Sequence, residues 1–461
     1  MYYEGIVKQS STPIPLTPIR KILHPFEQFL RIESSGGILL LAAAATALIW
    51  ANVPHGAESY VHLWHTPISV VIGNFTLTLT LAHWINDSLM SVFFFVVGLE
   101  IKREMLAGEL TSPRQAVLPI AAAIGGMIVP ALFYTAFNAN GPGAAGWGIP
   151  MATDIAFAVG VMALLGSRAP LSLKIFITAL AIVDDLGAVV VIALFYTAQL
   201  NFISLAIAGG LMVLMFIMNR AGFRTPAAYL VIGVGLWLAL LDSGMHASLS
   251  GVLAALAIPS RRHIDGKDFL ARGRQYLDEF ESAGASGSDI IPNAEQHNAM
   301  YDLETSIAAA RSPMARLEHL LHPWVMYCIM PIFALANAGV VLVPEGATNQ
   351  PSLLGLLAQP VSIGVMVGLF LGKPIGILLA SWIAVRSGFG ALPRGVGWTA
   401  LLGAGCLAGI GFTMSLFIAN LGLPEGVLLT EAKLGFLAAS VASGIVGSAI
   451  LLFAPKPETV H

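Results

Sequence analysis

The chain has 461 residues, of which 56% are hydrophobic and 11% are charged, and its formal net charge is −3. The charged share is about half that of an average soluble domain, which excludes an ordinary soluble enzyme and predicts a polytopic membrane protein. The small net charge does not indicate a nucleic-acid partner, and none is expected. The two cysteines, Cys328 and Cys406, lie in apolar runs and do not form a disulfide framework.

Apolar runs of about 20 residues predict the helices that cross the membrane. The first 35 residues lack a short apolar region followed by a cleavage site, so no removable signal peptide is predicted. We expect a cytoplasmic segment at 1–35, an all-α transmembrane domain at 36–454 and a cytoplasmic tail at 455–461. Twelve spans are predicted, at 36–53, 82–100, 116–138, 149–166, 173–198, 202–219, 226–241, 246–259, 324–343, 357–385, 398–421 and 431–454.

The basic residues predict the orientation. With twelve spans, all of the 23 Lys and Arg residues except Lys373 and Lys433 fall on one side. Short cytoplasmic loops retain positive charge, so both termini are predicted to be cytoplasmic. The opposite loops at 138–148 and 343–352 contain no Lys or Arg, and dropping one span would scatter the charges over both sides.

Two loops carry features of their own. Threonines alternate with large apolar residues on either side of Gly73-Asn74, which predicts an extracytoplasmic β-hairpin at about 68–81. Its free edge favours pairing with a second copy of the chain, although the hairpin could instead lie on its own helices. The polar stretch at about 260–317 is predicted to be a partly disordered cytoplasmic loop with one short amphipathic helix near 300–310.

Two adjacent carboxylates, Asp184 and Asp185, lie inside the apolar run from Ile175 to Tyr196. An ionised group at the centre of a transmembrane helix costs on the order of 3 kcal/mol, so such residues indicate an ion pathway or a proton relay. Consecutive residues point about 100° apart around a helix. We therefore expect one carboxylate to face a cation pathway and the other to meet Lys373, and the cluster to titrate as a coupled unit.

Helix breakers surround the other charged residues of the spans. Gly148 and Pro150 precede Thr153-Asp154 in the fourth span, and a similar interruption is expected at 405–413 in the eleventh. Broken helices at corresponding places of two halves are typical of a transport site at the bilayer midplane. The fourth span is the middle member of spans 3–5, and the eleventh is the middle member of spans 10–12. These two groups of three spans are predicted to be inverted repeats.

Several stretches together resemble the NhaA family of sodium/proton antiporters, over about residues 34–453. The matching stretches are Phe94–Glu104, Ala152–Ala158, Val183–Gly187, Gly244–Gly251, Arg316–Trp324 and Gly372–Gly376. The resemblance implies twelve helices, with the fourth and eleventh discontinuous and crossing at the site. It also implies a homodimer through the hairpin and a location in the bacterial inner membrane. The loop at 260–315 and the amino terminus are longer than the family pattern leads us to expect.

The resemblance also implies roles for residues. Asp185 would be the main Na⁺ ligand and Asp184 its partner, pairing with Lys373 when no cation is bound, while Asp154 with Thr153 would compensate the broken helix ends. A group at the cytoplasmic entrance would respond to pH, and a further histidine would take part in that response. These residues are Glu100, Arg103, Glu104, Glu318, His319 and His322, with His246 as the further histidine.

Structural explanations exist for the same residues. The acidic pair could only fix helix packing, and Asp154 and Lys373 could simply neutralise helix dipoles. His246 could be an ordinary interfacial histidine, and the charges at 100–104 could form a solvated helix end. His319 and His322 have the spacing of metal ligands but lack a third ligand, so zinc is not expected.

The residues thus predict a secondary transporter, not an enzyme, that exports Na⁺ or Li⁺ in exchange for protons without a cofactor. An intramembrane aspartyl protease is a poor alternative, because its two carboxylates converge from different helices and here they are adjacent. A passive cation channel is the nearer alternative.

Overall fold

The computed structural model describes residues 35–197, 200–262, 264–283, 293–341 and 352–455. The predicted amino-terminal segment, 1–35, lies outside the described residues except for Ser35. The predicted tail, 455–461, lies outside them except for Pro455, and most of the loop at 343–352 lies outside them too. The boundaries of these three regions stay predictions.

The described chain is built almost entirely of helices. In chain order they are α1 (Ser35–Asn52), α2 (Gly56–His65), α3 (Leu81–Ala107), α4 (Pro113–Asn138), α5 (Ile155–Leu164), α6 (Leu171–Phe195), α7 (Phe202–Arg220), α8 (Pro226–Ser243), α9 (Leu249–Ala257), α10 (Gly266–Ser282), α11 (Ala294–Ala310), α12 (Pro313–Asn337), α13 (Leu353–Leu357), α14 (Pro360–Arg386), α15 (Trp398–Ala408), α16 (Phe412–Gly422) and α17 (Val427–Phe453). A 3₁₀ segment, Ala144–Met151, precedes α5.

Ten helical stretches of the described chain are long and apolar enough to cross a membrane, and α15 with α16, bent by 46°, form an eleventh. This confirms a multi-pass membrane protein. The predicted span at 246–259 corresponds to α9, whose nine residues extend over only about 14 Å at 1.5 Å per residue. A count of twelve crossings therefore stays a prediction.

The predicted hairpin is present. Strands β1 (Pro67–Ile72) and β2 (Phe75–Thr80) pair antiparallel around Gly73-Asn74, with Pro67 opposite Thr80. Gly73 has φ +60°, which a tight hairpin turn requires. The two strands form the sheet of the described chain, and Val71 is 63% exposed.

The long polar loop at about 260–317 contains more structure than the sequence indicated. It forms two helices that pack on each other, α10 and α11, whereas only one near 300–310 was predicted. The prediction missed α10 because polar and charged residues dominate it, which was interpreted as disorder, although its apolar residues recur with a helical period. Side chains cap both amino-terminal ends: Asp265 accepts from Lys267 N and Asp268 N, and Asn293 accepts from Gln296 N. Residues 284–292 lie outside the described residues.

Two helices that pack in close contact bury one of the charged residues, Lys373. Helix α14 packs along α4, and a side chain at Gly376 would meet the Gly125 backbone. Glycine therefore allows the two backbones to touch. One turn before Gly376, Lys373 lies at the end of a π-helical segment, Gly368–Gly372, and is completely buried.

Candidate functional site

Two helices are interrupted at the same place in the protein. The first interruption separates Met151 from α5 and the second separates α15 from α16, as predicted for the fourth and eleventh spans. The two breaks contact each other directly: Asp154 N donates to Ile410 O at 2.7 Å, and Thr153 Oγ1 donates to Ala408 O at 2.9 Å. Each interruption leaves backbone groups without partners in their own helix, and residues of the other interrupted helix supply hydrogen bonds to them. Backbone groups buried in an apolar environment require such partners.

The Asp154 carboxylate caps two helices. Its Oδ1 accepts from Phe157 N at 3.2 Å, in the first turn of α5. Its Oδ2 accepts from Thr413 N at 3.1 Å and from Thr413 Oγ1 at 2.5 Å, at the start of α16. A negative charge at two helix amino termini compensates both dipoles, so the geometry agrees with the predicted position of this residue.

The crossing leaves no room for a side chain on the second break. A Cβ at Gly411 would lie 3.0 Å from Ala152 O and would also clash with Ser415 Oγ. Ser415 Oγ in turn donates to Ile149 O at 2.9 Å, across the two broken helices. Glycine at 411 is therefore a packing requirement of the site.

Asp184 and Asp185 occupy the middle of α6, about 20 Å from its start and about 15 Å from its end at 1.5 Å per residue. Both are 1% exposed. Asp184 accepts from Thr153 Oγ1 at 2.7 Å and forms an ion pair with the Lys373 ammonium group. Asp185 points elsewhere, into a cavity. The separation of the two carboxylates expected from helix geometry is thus present, with Asp184 as the one that meets Lys373.

A cavity of about 450 Å³ reaches Asp185. At its inner end it touches Thr153, Asp154 and Thr413, and along α6 it follows Thr178, Ile182 and Asp185 on one helix face. The opposite wall comes from α3 and α12. Further residues of the cavity lining include Phe93, Glu100, Arg103, Glu318, His322, Met330 and Met414.

Charged residues surround the mouth of this cavity. Arg103 forms ion pairs with Glu318 and, at 3.1 Å, with Glu104, and its side chain is 47% exposed. His322 Nε2 lies 3.9 Å from Glu100 Oε1. These five predicted residues are therefore together, and the cavity that four of them line extends to Asp185.

Two of the residues predicted to respond to pH lie outside this group of five. His319 is exposed on α12, one residue from Glu318. His246 Nε2 donates to Tyr196 O at 2.7 Å, just beyond the far end of α6. Tyr196 is eleven residues past Asp185, whereas the cavity approaches Asp185 from the Thr178 side. His246 is thus at the opposite end from the charged mouth.

The sequence analysis missed two cavity residues. Thr413 binds Asp154 with both its backbone and its hydroxyl group, and its position at the end of the 405–413 interruption was the available signal. Thr178 is seven residues before Asp185, and a helical wheel of α6 would have placed both on one face.

The site leaves carboxylate oxygens available. Within the described ranges, Oδ1 of Asp184 and Oδ1 of Asp185 are buried and have no hydrogen-bond partner. Buried carboxylate oxygens require a proton, a donor or a cation. The described residues contain no group of three His, Cys, Asp or Glu side chains arranged for a transition metal. Oxygen-only ligands suit a hard cation such as an alkali ion.

Comparison with known proteins agrees with this geometry. A family model described as Na⁺/H⁺ antiporter 1 matches residues 27–451. The chain is 49% identical over 444 residues to the Na⁺/H⁺ antiporter NhaA of Oleidesulfovibrio alaskensis, covering 96% of this chain and 97% of that relative. It is 48% identical over 435 residues to the Na⁺/H⁺ antiporter NhaA of Koribacter versatilis, covering 94% and 92%. It is 48% identical over 428 residues to the Na⁺/H⁺ antiporter NhaA 2 of Syntrophotalea carbinolica, covering 93% and 96%.

Proposed function

The chain belongs to the Na⁺/H⁺ antiporter 1 family, and from that membership we propose that it exports Na⁺, and Li⁺ as an alternative cation, in exchange for protons. It is a secondary transporter and not an enzyme. The observation that carries the proposal is the cavity, which reaches Asp185, a residue whose Oδ1 has no hydrogen-bond partner among the described residues.

Competition for the same oxygens couples the two ions. A carboxylate in a site of low dielectric cannot stay ionised without a partner, so Asp185 holds either a proton or a cation. Thr153 and Asp154 line the same cavity as Asp185, and Asp184 is its neighbour on α6, so these residues would complete the ligand set. When a proton binds, the cation loses its ligand and leaves.

The ion pair of Asp184 with Lys373 supports a second step. Lys373 satisfies Asp184 when no cation is present, and an arriving cation competes with the ammonium group for that carboxylate. If both aspartates release a proton for each cation, one net charge crosses the membrane per cycle. The membrane potential then contributes roughly 2.3 kcal/mol per 100 mV.

Transport requires the site to face the two compartments in turn. The crossed breaks support a pair of inverted three-helix repeats, spans 3–5 and 10–12, within twelve crossings. We place the cavity mouth in the cytoplasm and both termini on the same side, in the bacterial inner membrane. The charged mouth, Glu100, Arg103, Glu104, Glu318 and His322 with the adjacent His319, would adjust activity to pH, and His246 would contribute from the opposite side.

The exposed hairpin edge supports a homodimer. The molecular mass of the detergent-solubilised protein, measured with and without residues 67–80, tests this. A dimer that persists without the hairpin contradicts it.

Exchange in proteoliposomes tests the proposed function. Addition of Na⁺ or Li⁺ should dissipate an imposed pH gradient across a series of pH values, whereas K⁺ should not. A passive channel would instead give a Na⁺ leak that is independent of the pH gradient. Absence of Na⁺-driven proton movement in protein that is folded and inserted would refute antiport.

A further inference from the structure

Three buried phenylalanine rings pack together near the inner end of the cavity. Phe94 on α3, Phe333 on α12 and Phe417 on α16 are each at most 1% exposed. The ring of Phe417 lies 5.2 Å from that of Phe94 and 6.2 Å from that of Phe333, measured between centroids. Rings in such contact leave no path for water between the three helices.

The same three helices each supply an asparagine to a network of amides. Asn86 Nδ2 donates to Asn337 Oδ1 at 3.2 Å, and Asn337 Nδ2 donates back to Asn86 Oδ1 at 2.7 Å. Asn420 Nδ2 donates to Asn337 Oδ1 at 2.7 Å. Two hydrogen bonds thus join α3 to α12, and one joins α12 to α16.

The amides lie beyond the blind end of the cavity. On α3 the lining ends at Phe93, on α12 at Met330 and on α16 it includes Met414. Each asparagine lies further from the mouth than these residues. Asn86 is seven residues from Phe93, Asn337 is seven from Met330 and Asn420 is six from Met414. Each separation is about 10 Å along the helix. On α12 and α16 the phenylalanines lie three residues beyond the lining, whereas on α3 Phe94 is next to Phe93, the innermost lining residue. The amide layer is therefore the outermost of the three.

The aromatic layer and the amide layer both bridge the boundary between the two walls of the cavity, which we call the seam. The cavity lies between a wall formed by α3 and α12 and a wall that contains α5, α6 and α16. Phe94, Phe333, Asn86 and Asn337 belong to the first wall, and Phe417 and Asn420 to the second. The contacts between these residues hold the walls together on the side away from the mouth.

We propose that these six residues form the outer gate of the transporter, closed in this structure, and that opening separates Phe417 and Asn420 from the other four. The proposal rests on the proposed antiport, since exchange requires access from the second side. Apolar rings exclude water and ions while they touch. When the amide layer opens, water can replace the hydrogen bonds between the asparagines. The free-energy cost of separating them is therefore small.

A purely structural network would also satisfy buried amides, and cross-linking distinguishes the two. The test uses two double variants, Asn337→Cys/Asn420→Cys across the seam and Asn86→Cys/Asn337→Cys within one wall. Both carry Cys328→Ala and Cys406→Ala, which remove the native thiols. Each protein in proteoliposomes is treated with Hg²⁺, which bridges neighbouring thiols, and then with an excess of the reductant dithiothreitol, whose thiols take up the Hg²⁺ by ligand exchange.

We expect the bridge across the seam to lower Na⁺-driven exchange at least tenfold relative to the same variant before treatment, and the reductant to restore it. The bridge within one wall should leave exchange unchanged. Loss of exchange in both variants, or in neither, overturns the proposed gate. Exchange by the untreated variants verifies the antiport separately, so a failed gate and a failed function give different results.

Discussion

Lys373 and Asp184 form an ion pair in which both side chains are completely buried. The next residue along α6, Asp185, is equally buried but faces the cavity and has an oxygen without a partner. One carboxylate is therefore neutralised within the protein, and the other is left for an ion that comes from outside.

Replacement of Asp185 by Asn should abolish Na⁺-driven exchange, because the amide cannot exchange a proton for a cation. The protein should still fold, since the amide is nearly the same size and Asp185 makes no ion pair in the described chain. Exchange in proteoliposomes measures the effect, with Asp302→Asn on the exposed surface of α11 as the matched control. Normal exchange by Asp185→Asn would refute its assignment as the cation ligand.

Replacement of Lys373 by Met should destabilise the protein by about 3–5 kcal/mol, because it leaves Asp184 buried without its countercharge. Adding Asp184→Asn should recover most of that loss, since the remaining groups are neutral and Thr153 can still bond the amide. Thermal unfolding of the purified variants in detergent gives the comparison. A single Lys373→Met variant as stable as the parent would contradict the buried pair.

Competition between protons and Na⁺ predicts how affinity changes with pH. Where one proton competes for the site, each unit decrease in pH should raise the apparent KM for Na⁺ about tenfold, by mass action. The maximal rate at saturating Na⁺ should change much less. Initial rates over a pH series measure both quantities, and an apparent KM that does not vary with pH would exclude a shared site.

The mouth of the cavity should set the pH range. Glu318→Gln removes a negative charge that pairs with Arg103. Protonation within the cavity then becomes less favourable, so the activity profile should move to lower pH by up to about one unit. Glu304→Gln on the exposed face of α11 is the matched control and should leave the profile in place. Identical profiles for the two variants would argue against regulation by the mouth.

Helix α2 should lose its attachment to the end of α12 in alkali. Tyr60 donates to Leu335 O at 2.8 Å and accepts from Gly339 N at 3.0 Å, and burial raises the pKa of the Tyr60 phenol to about 12. The unfolded chain has the ordinary pKa near 10. The contribution of neutral Tyr60 is therefore complete below pH 10 and is lost as the pH rises from 10 through 12, up to about 3 kcal/mol.

Tyr60→Phe should be less stable than the parent at pH 8, because it lacks both hydrogen bonds. The difference should shrink as the pH approaches 12. Unfolding of both proteins from pH 8 to pH 12 measures this, and a constant difference would contradict it.

The sequence by itself determined what can be read along the chain. Apolar runs showed the membrane helices, Gly73-Asn74 showed the hairpin, and glycine and proline beside Thr153-Asp154 showed where a helix breaks. These features depend on local composition and backbone conformation. The polar helix α10 was missed, because its overall polarity was interpreted as disorder although its apolar residues recur with a helical period.

Only the tertiary structure decided which distant residues meet. Helix geometry turns Asp184 and Asp185 apart, but the packing of α14 on α4 selects Asp184 for Lys373. Likewise, Thr413 meets Asp154, and Asn86, Asn337 and Asn420 form one network, through contacts between helices far apart in the chain. An apolar pattern shows that a helix is buried in lipid or protein, yet it does not specify which neighbour each face touches.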